Sequence, residues 1–229
     1  MKSVTIIVPV KDEEVGLKYL LDDYRATSLI GDYIVNFIFV IDVRTSDSSQ
    51  KFANEFSDII INQKETTGKG AAVKQAVELW KNDPTDFIIF LDADGSYSFT
   101  SVSKILSKLR EGCDVVSGSR FLSSQRRPEG MSRLHNFGNK FLSKVSSIRN
   151  RRHITDLCTG LWGFSEKALL KLDIQSNGFD LEAEIAGLAR KNGFSHHEVE
   201  VEWSQRKGGT SKLRSLTDGL IIFFRIIRT

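Results

Sequence analysis

Phe87-Ile88-Ile89-Phe90-Leu91 is an unbroken apolar run bracketed by Asp86 and Asp92. A strand that does not alternate apolar with polar residues is buried on both faces, and a sheet covered on both faces needs helices above and below it. This run therefore directs the chain towards a parallel α/β sheet. Asp92-Ala93-Asp94 follows directly, at the carboxyl end of the strand, where open α/β sheets bind their ligands. Residues i and i+2 of an extended segment project the same way, so both carboxylates can reach one divalent cation or one group of phosphates. Two acids at a strand end also serve as a solvated turn or a helix cap, so the rest of the chain has to decide between these roles.

Apolar runs and helical periodicity alternate along the first half. Strands are expected at Val4–Val10, Ile34–Ile41, Ile59–Asn62, Phe87–Leu91 and Asp114–Ser117, with helices at about Asp12–Tyr24, Ser46–Glu55, Gly70–Lys81 and Thr100–Glu111 between them. That succession fits a single, mostly parallel sheet flanked by helices, with ligand along one rim. The second half is less regular: helices are expected near Ser132–Ser147, Glu166–Leu172 and Leu181–Lys191, and a strand at His197–Trp203.

With 229 residues, 40% of them hydrophobic and 27% charged, the chain has the composition of a folded soluble enzyme rather than a disordered or fibrous protein. Cys113 and Cys158 stand at no metal-ligand spacing and in apolar contexts, which points to core thiols in a reduced, cytosolic compartment. Met1–Pro9 runs straight into a strand without the features of a secretory signal, again pointing to the cytosol. The net charge of +3 is uneven, because residues 126–153 hold eight lysines and arginines against one acid, Glu129. Such clustering is either a solvated face or an attractor of phosphates and anionic lipid. Nucleic acid is not expected as a partner, since no recognised binding motif accompanies the basic residues. The closing stretch, Leu220 to Arg228, falls far short of the roughly 20 apolar residues that span a bilayer. It reads either as a terminal helix on the core or as an interfacial helix with Arg225 and Arg228 at the headgroups.

Acids recur at the ends of three strands: Lys11-Asp12-Glu13-Glu14 after the first, Asp42 after the second, and Asp92 with Asp94. Stabilisation of helix starts accounts for Asp12, Glu13 and Asp47. Asp42, at a buried edge, suits a nucleobase imide or a ribose hydroxyl. Thr66-Thr67-Gly68-Lys69-Gly70-Ala71-Ala72 is a glycine-lined turn opening a helix, an arrangement that offers backbone N–H groups to an anion. It is not a Walker loop, because Gln63 stands at the first glycine position and Ala71 at the Ser/Thr position.

Taken in order, these residues resemble the inverting family 2 glycosyltransferases of GT-A fold, in particular their dolichyl- and polyprenyl-phosphate sugar synthase branch. The resemblance rests on Pro9 to Glu14, Asp42 to Ser49, Gly68-Lys69-Gly70, Asp92 to Ser96 and Gly118-Ser119-Arg120-Phe121. It continues through Gly138-Asn139, Thr155-Asp156 with Thr159-Gly160, Glu182-Ala183-Glu184, and Arg206 with Gly209 to Leu213. It implies one GT-A domain over residues 1–215, with a nucleotide-sugar half (1–118) and an acceptor half (119–215), followed by an apolar and basic helix over 216–229.

By the same resemblance Pro9, Lys11, Glu13 and Asp42 line a nucleoside pocket, with Lys69 beside the diphosphate, while Asp92 and Asp94 hold Mg²⁺ or Mn²⁺. Arg120, Arg206 and Lys212 meet phosphates of the donor or acceptor; Arg133 is assigned to the surface. Glu182 and Glu184 are the general-base candidates, with Asp94 and Arg120 also in the catalytic set. A lipid phosphate needs no base, and the glutamates then bind metal or sugar instead. The implied reaction moves a sugar from a UDP- or GDP-linked donor to a polyprenyl or dolichyl phosphate at the cytosolic face of a membrane. The alternatives are transfer to a polysaccharide or other hydroxyl acceptor and, more remotely, a haloacid-dehalogenase-like phosphatase suggested by Asp92-Ala93-Asp94-Gly95. The chain departs from the family pattern at Lys11 (Tyr in the family), Val43 (Asp), and Arg44 and Ser48 (both Gly), which leaves uridine and guanosine both open. Trp162 either packs in the core or borders the acceptor.

Overall fold

In a computed structural model, which describes residues 1–27, 31–57, 59–63, 67–124, 126–214 and 216–229, strands and helices alternate through the first half as the periodicity requires. The first half comprises β1 (Lys2–Val10), α1 (Glu14–Ala26), β2 (Tyr33–Ile41), α2 (Ser49–Asn54), β3 (Ile60–Asn62), α3 (Lys69–Trp80), β4 (Phe87–Leu91), α4 (Phe99–Arg110) and β5 (Val115–Ser119). The second comprises α5 (Arg133–Asn150), β6 (Leu161–Ser165), α6 (Glu166–Lys171), α7 (Leu181–Lys191), β7 (His196–Glu200) and α8 (Thr217–Arg228). Thr66, expected to open the glycine turn, and residue 215, the expected domain boundary, lie outside the described residues.

The strands form one seven-stranded sheet in the order β3-β2-β1-β4-β6-β5-β7. All neighbouring pairs are parallel except those made by β6, which runs antiparallel to both β4 and β5. Side chains alternate between two cores. From β1, Val4, Ile6, Val8 and Val10 face α1, α2 and α4, while Ile7 faces α3 and the later helices. β4 divides likewise, Phe87, Ile89 and Leu91 on one side and Ile88 and Phe90 on the other, which is why its sequence shows no alternation.

β6 is the element that the sequence reading misses. Gly163 at its centre weakens the strand signal, yet a larger residue is excluded because Ile105 and Leu109 of α4 press on the sheet there. Trp162 beside it is buried, stacks on His196 and donates its indole N–H to Thr159 O at 3.1 Å, so it packs in the core.

Two early helices start later than expected because acids are diverted to the backbone. Asp12 has a left-handed φ of 48° and accepts the Ser46 N–H, so α1 begins at Glu14. Asp47 accepts N–H groups from both Glu14 and Ser49, joining the starts of α1 and α2. α5 extends three residues beyond its expected end, from a Ser132 cap that accepts the His135 N–H to Arg151 in the left-handed region.

The final helix packs on the core along one face, as the first of the two expectations has it. Ile222 and Ile226 of α8 are buried against α5 and α7, whereas Leu220, Ile221, Phe224 and Ile227 on the other side are exposed. Arg225 turns inward rather than towards a headgroup layer, because Asp180 and Glu184 lie beneath it. Among the described residues no helix is long and apolar enough to cross a membrane.

Candidate active site

β1 and β4 are adjacent, and the chain continues outward from β1 to β2 and β3 on one side and to β6, β5 and β7 on the other. That divergence opens a crevice at the carboxyl ends of the strands. Lys11 to Glu13 leave β1 there, Asp42 leaves β2, and Asp92 and Asp94 leave β4. The resulting cleft has a volume of about 1230 Å³ and includes Pro9, Lys11, Glu13, Asp42, Lys69, Asp92, Asp94, Arg120, Glu182, Arg206 and Lys212 in its walls. All the expected site residues except Glu184 thus meet in one cavity.

Charge is matched pairwise along the rim. Lys69 Nζ lies 2.6 Å from Asp92 Oδ1 and 2.7 Å from Glu182 Oε1. Burial alone would depress the Lys69 pKa, but Asp92 and Glu182 raise it, so this side chain is a fixed cation. Burial raises the pKa of Glu182 in spite of that lysine. Arg206 bridges Asp94, at 3.1 Å, and Glu13, at 2.5 Å, with Lys212 3.8 Å from the same glutamate. Burial dominates at Glu13 and pushes its pKa up to about 7 against the pull of Arg206. Asp42 accepts two hydrogen bonds from the Arg44 guanidinium, at 2.8 and 2.6 Å, which lower its pKa.

The donor set suits a hard divalent ion. Mg²⁺ and Mn²⁺ take carboxylate and phosphate oxygens, and Mg²⁺ is commonly held by one or two carboxylates together with substrate phosphates. Among the described residues no group of three acid, histidine or cysteine side chains forms an all-protein cage. Asp92 and Asp94 are the two carboxylates that could hold such an ion, and Lys69 and Arg206 are positive charges standing against them.

The surroundings of Asp92 are closely built. A methyl group on Gly160 would collide with its carboxylate. Asp92 donates its N–H to Gly160 O at 3.1 Å, and Gly160 in turn donates its N–H to the buried Tyr97 hydroxyl at 2.9 Å. Burial pushes the Tyr97 pKa up to about 12, keeping the phenol neutral. Tyr97 carries no expectation from the sequence, because an isolated tyrosine after a strand gives no signal.

Arg120 faces the cleft, but its guanidinium is engaged with Asp156 through Nε at 2.6 Å and NH2 at 2.7 Å, and also reaches Cys158 O. Asn139 of α5 donates to the same carboxylate at 2.7 Å. Asp156 is therefore a hub joining β5, α5 and the loop before β6. Thr155-Asp156 and Gly138-Asn139 belong to the family resemblance, so the signal for this hub is present although no role is attached to it. Arg133 is exposed and lies outside the cleft wall.

The two glutamates of α7 separate. Residues two apart on a helix point to different faces. Glu182 enters the cleft, whereas Glu184 turns the other way, accepting N–H groups from Gln175 and Ser176 and pairing with Arg225 at 3.0 Å.

Beyond the charged rim, the same cleft continues between α5 and α8, where Leu134, Phe137, Phe141, Leu216, Leu220 and Phe223 line it. Phe141 and Phe223 stack with ring centres 6.2 Å apart.

The glycosyl transferase family 2 model matches residues 5–173. Glycosyltransferase AglJ of Haloferax volcanii is 30% identical over 227 residues, covering 99% of this chain and 71% of that protein. The dolichyl-phosphate hexose transferase of the same organism is 26% identical, covering 93% of this chain and 92% of its own length. Among solved structures, glucosyl-3-phosphoglycerate synthase from Mycobacterium tuberculosis, in complex with Mn²⁺, UDP and phosphoglyceric acid, superposes with a TM-score of 0.71. Its identity is 14%, over 99% of this chain and 76% of that one. That likeness places the sheet in the GT-A fold. Sequence match and fold agree, and the chain belongs to glycosyl transferase family 2, which makes it a glycosyltransferase.

Proposed function

We propose that this glycosyltransferase moves a sugar from a UDP- or GDP-linked donor to the phosphate of a polyprenyl or dolichyl carrier, with Mg²⁺ or Mn²⁺ held by Asp92 and Asp94. The observation that carries this reading is the continuity of one cleft from paired carboxylates and cations to an apolar gap between two helices. A nucleotide diphosphate suits the first end and a lipid chain the second. The names of the relatives agree, one being a dolichyl-phosphate hexose transferase.

In this reading residues 1–118 hold the donor and residues 119–215 serve the acceptor. Pro9, Lys11 and Asp42 border the nucleoside, and Asp92 and Asp94 face the diphosphate. When bound, the divalent ion neutralises the charge that develops on the departing nucleoside diphosphate. Lys69, Arg206 and Lys212 are cations within the same cleft and are available to phosphate oxygens once the carboxylates they now pair with are otherwise satisfied. A lipid phosphate is already anionic at neutral pH. Its oxygen attacks the anomeric carbon as the bond to the donor phosphate breaks, inverting the configuration without a general base. Glu182 then serves to orient Lys69, and Arg120 braces the wall through Asp156 rather than contacting a reacting atom.

The α5–α8 face suits peripheral contact with a membrane on its cytosolic side. Leu134, Phe137, Phe141 and Ile148 form an exposed stripe on α5, with Arg133, Lys140 and Lys144 beside it, and the outward residues of α8 lie next to them.

The test is a panel of radiolabelled UDP- and GDP-sugars incubated with a polyprenyl phosphate and Mn²⁺ or Mg²⁺. Label is expected in the organic phase with one nucleotide class and is expected to vanish with chelator. Label confined to water-soluble product would replace the lipid acceptor with a hydroxyl acceptor, for which Glu182 is the cleft-facing carboxylate.

A further inference from the structure

Arg225 is the one feature of α8 that conflicts with a simple amphipathic helix, since it leaves the solvent side to enter a buried carboxylate pair. Its Nε lies 2.7 Å from Asp180 Oδ2 and its NH1 3.0 Å from Glu184 Oε1, and those side chains are only 7% and 4% exposed. Neither acid lines the cleft. Both hold the loop before α7: Glu184 Oε2 accepts N–H groups from Gln175 at 3.0 Å and Ser176 at 2.7 Å, and Asp180 accepts the Ser176 hydroxyl.

That loop is the backing of the glycine turn. Asn177 O accepts the Ala71 N–H at 3.2 Å, and the backbone of Ser176 and Asn177 lies so close to Gly68 and Gly70 that neither glycine has room for a side chain. Gly68 also needs its positive φ of 111° to open α3. From this turn Lys69 reaches Asp92 and Glu182. A continuous series of hydrogen bonds and close contacts therefore joins α8 to the proposed metal carboxylate.

We infer that Arg225 is a positioning residue for the donor site: by clamping Asp180 and Glu184 it sets the 173–178 loop against the Gly68–Gly70 turn and thereby aims Lys69 at Asp92. The guanidinium suits this task because its planar fork engages two acids from fixed directions, which an ammonium group cannot reproduce. The inference rests on the proposed donor reading, and it concerns binding geometry rather than a contact with the reacting atoms. It also gives Glu184 a use other than that of a base.

The experiment measures binding of Mn²⁺ with UDP and of Mn²⁺ with GDP to the full chain by titration calorimetry, for the wild type, Arg225→Lys, Arg225→Met, Lys69→Met and the double variant Arg225→Met with Lys69→Met. Circular dichroism and thermal melting accompany each variant. Arg225→Met is expected to weaken the nucleotide–metal complex at least fivefold, and Arg225→Lys, which keeps the charge and most of the packing, at least threefold. In turnover assays the loss is expected in kcat and in the donor KM, with the acceptor KM unchanged. The effects of Arg225→Met and Lys69→Met are expected to be non-additive, since both act through the same contacts. A purely structural role would lower the melting temperature and leave the affinity of the folded fraction intact.

Wild-type affinity in folded Arg225→Lys, or strict additivity in the double variant, overturns the inference while leaving the donor reading in place. If Arg225→Met does not fold, Arg225→Lys alone decides. Failure of the wild type to bind either nucleotide with Mn²⁺ overturns the donor reading and this inference together.

Discussion

The strand-end rim and the α5–α8 face lie along one cleft and are built on opposite principles. On the rim, Glu13, Asp42, Asp92 and Asp94 each have an arginine or lysine nitrogen within 3.1 Å. Partly buried charges are costly without partners, so this rim is held in one geometry by its own cations. On the α5–α8 face the large side chains are left in water: Phe137 is 71% exposed, Leu220 61% and Phe224 54%. The first region is ordered by its own charge pairs, with no ligand needed to hold it. The second lowers its free energy only when something apolar covers it.

The most severe way to break the contrast is to remove the anions of the rim. Alanine at both Asp92 and Asp94 is expected to reduce turnover by about a thousandfold or more, several kcal/mol of stabilisation of a developing charge. Nucleotide-dependent Mn²⁺ binding, followed by paramagnetic resonance, should disappear as well. Near-native turnover in that double variant would remove the metal from the mechanism.

Gly160→Ala tests whether the rim is as rigid as its contacts imply. The added methyl meets the Asp92 carboxylate, and a displacement of about 1 Å near reacting groups costs on the order of a hundredfold. Steady-state kinetics on the folded variant should show this loss; unchanged kcat would mean that Asp92 moves freely.

A smaller effect sharpens the other side of the comparison. Ile221→Ser with Phe224→Ser removes two outward apolar groups of α8, each expected to contribute about 1 kcal/mol or more to lipid partitioning. Cosedimentation with anionic vesicles should fall about thirtyfold or more, with Mn²⁺–nucleotide affinity in solution unaltered. Equal cosedimentation of variant and wild type would assign the apolar face to another occupant.

The least change is expected from Glu13→Gln. The pKa of Glu13 is raised from 4.5 to about 7 in the folded protein, so the folded state binds this proton more tightly than the unfolded state does. Its contribution to stability is fully present below pH 4.5 and is lost as the pH rises through about 7. The melting temperature of the wild type should therefore decline relative to Glu13→Gln across that window. Parallel profiles would show that Arg206 offsets the burial of Glu13 completely.

Much of this organisation was legible residue by residue. The non-alternating Phe87–Leu91 run identified a strand covered on both faces, and β4 is central in the sheet with its side chains divided between two cores. Motif order singles out Glu13, Asp42, Asp92, Asp94, Lys69 and Arg206, and these side chains meet in the cleft. Gly163 hid β6, because strand propensity measures side-chain fit and a glycine forced by the pressure of α4 contributes none. Asp12 and Asp47 shortened their helices by bonding across to Ser46 and Glu14, partners more than thirty residues away in sequence.

The pairing of charges is the part that no local pattern contains. Hydrophobic periodicity and turn chemistry act over a few residues, so most strands, the approximate helix positions and the carboxyl-end rim follow from the chain read in one dimension, whereas the strand order and the antiparallel β6 do not. Glu182 and Glu184 differ in fate because α7 turns about 100° per residue and α8 happens to lie on one side of it, with the Lys69 turn on the other. Arg120 could not be told from Arg206 by type or motif; Asp156 occupies one, while Asp94 and Glu13 share the other. Electrostatic partners are chosen by distance in space and by burial, and both exist only after the sheet has closed its two cores.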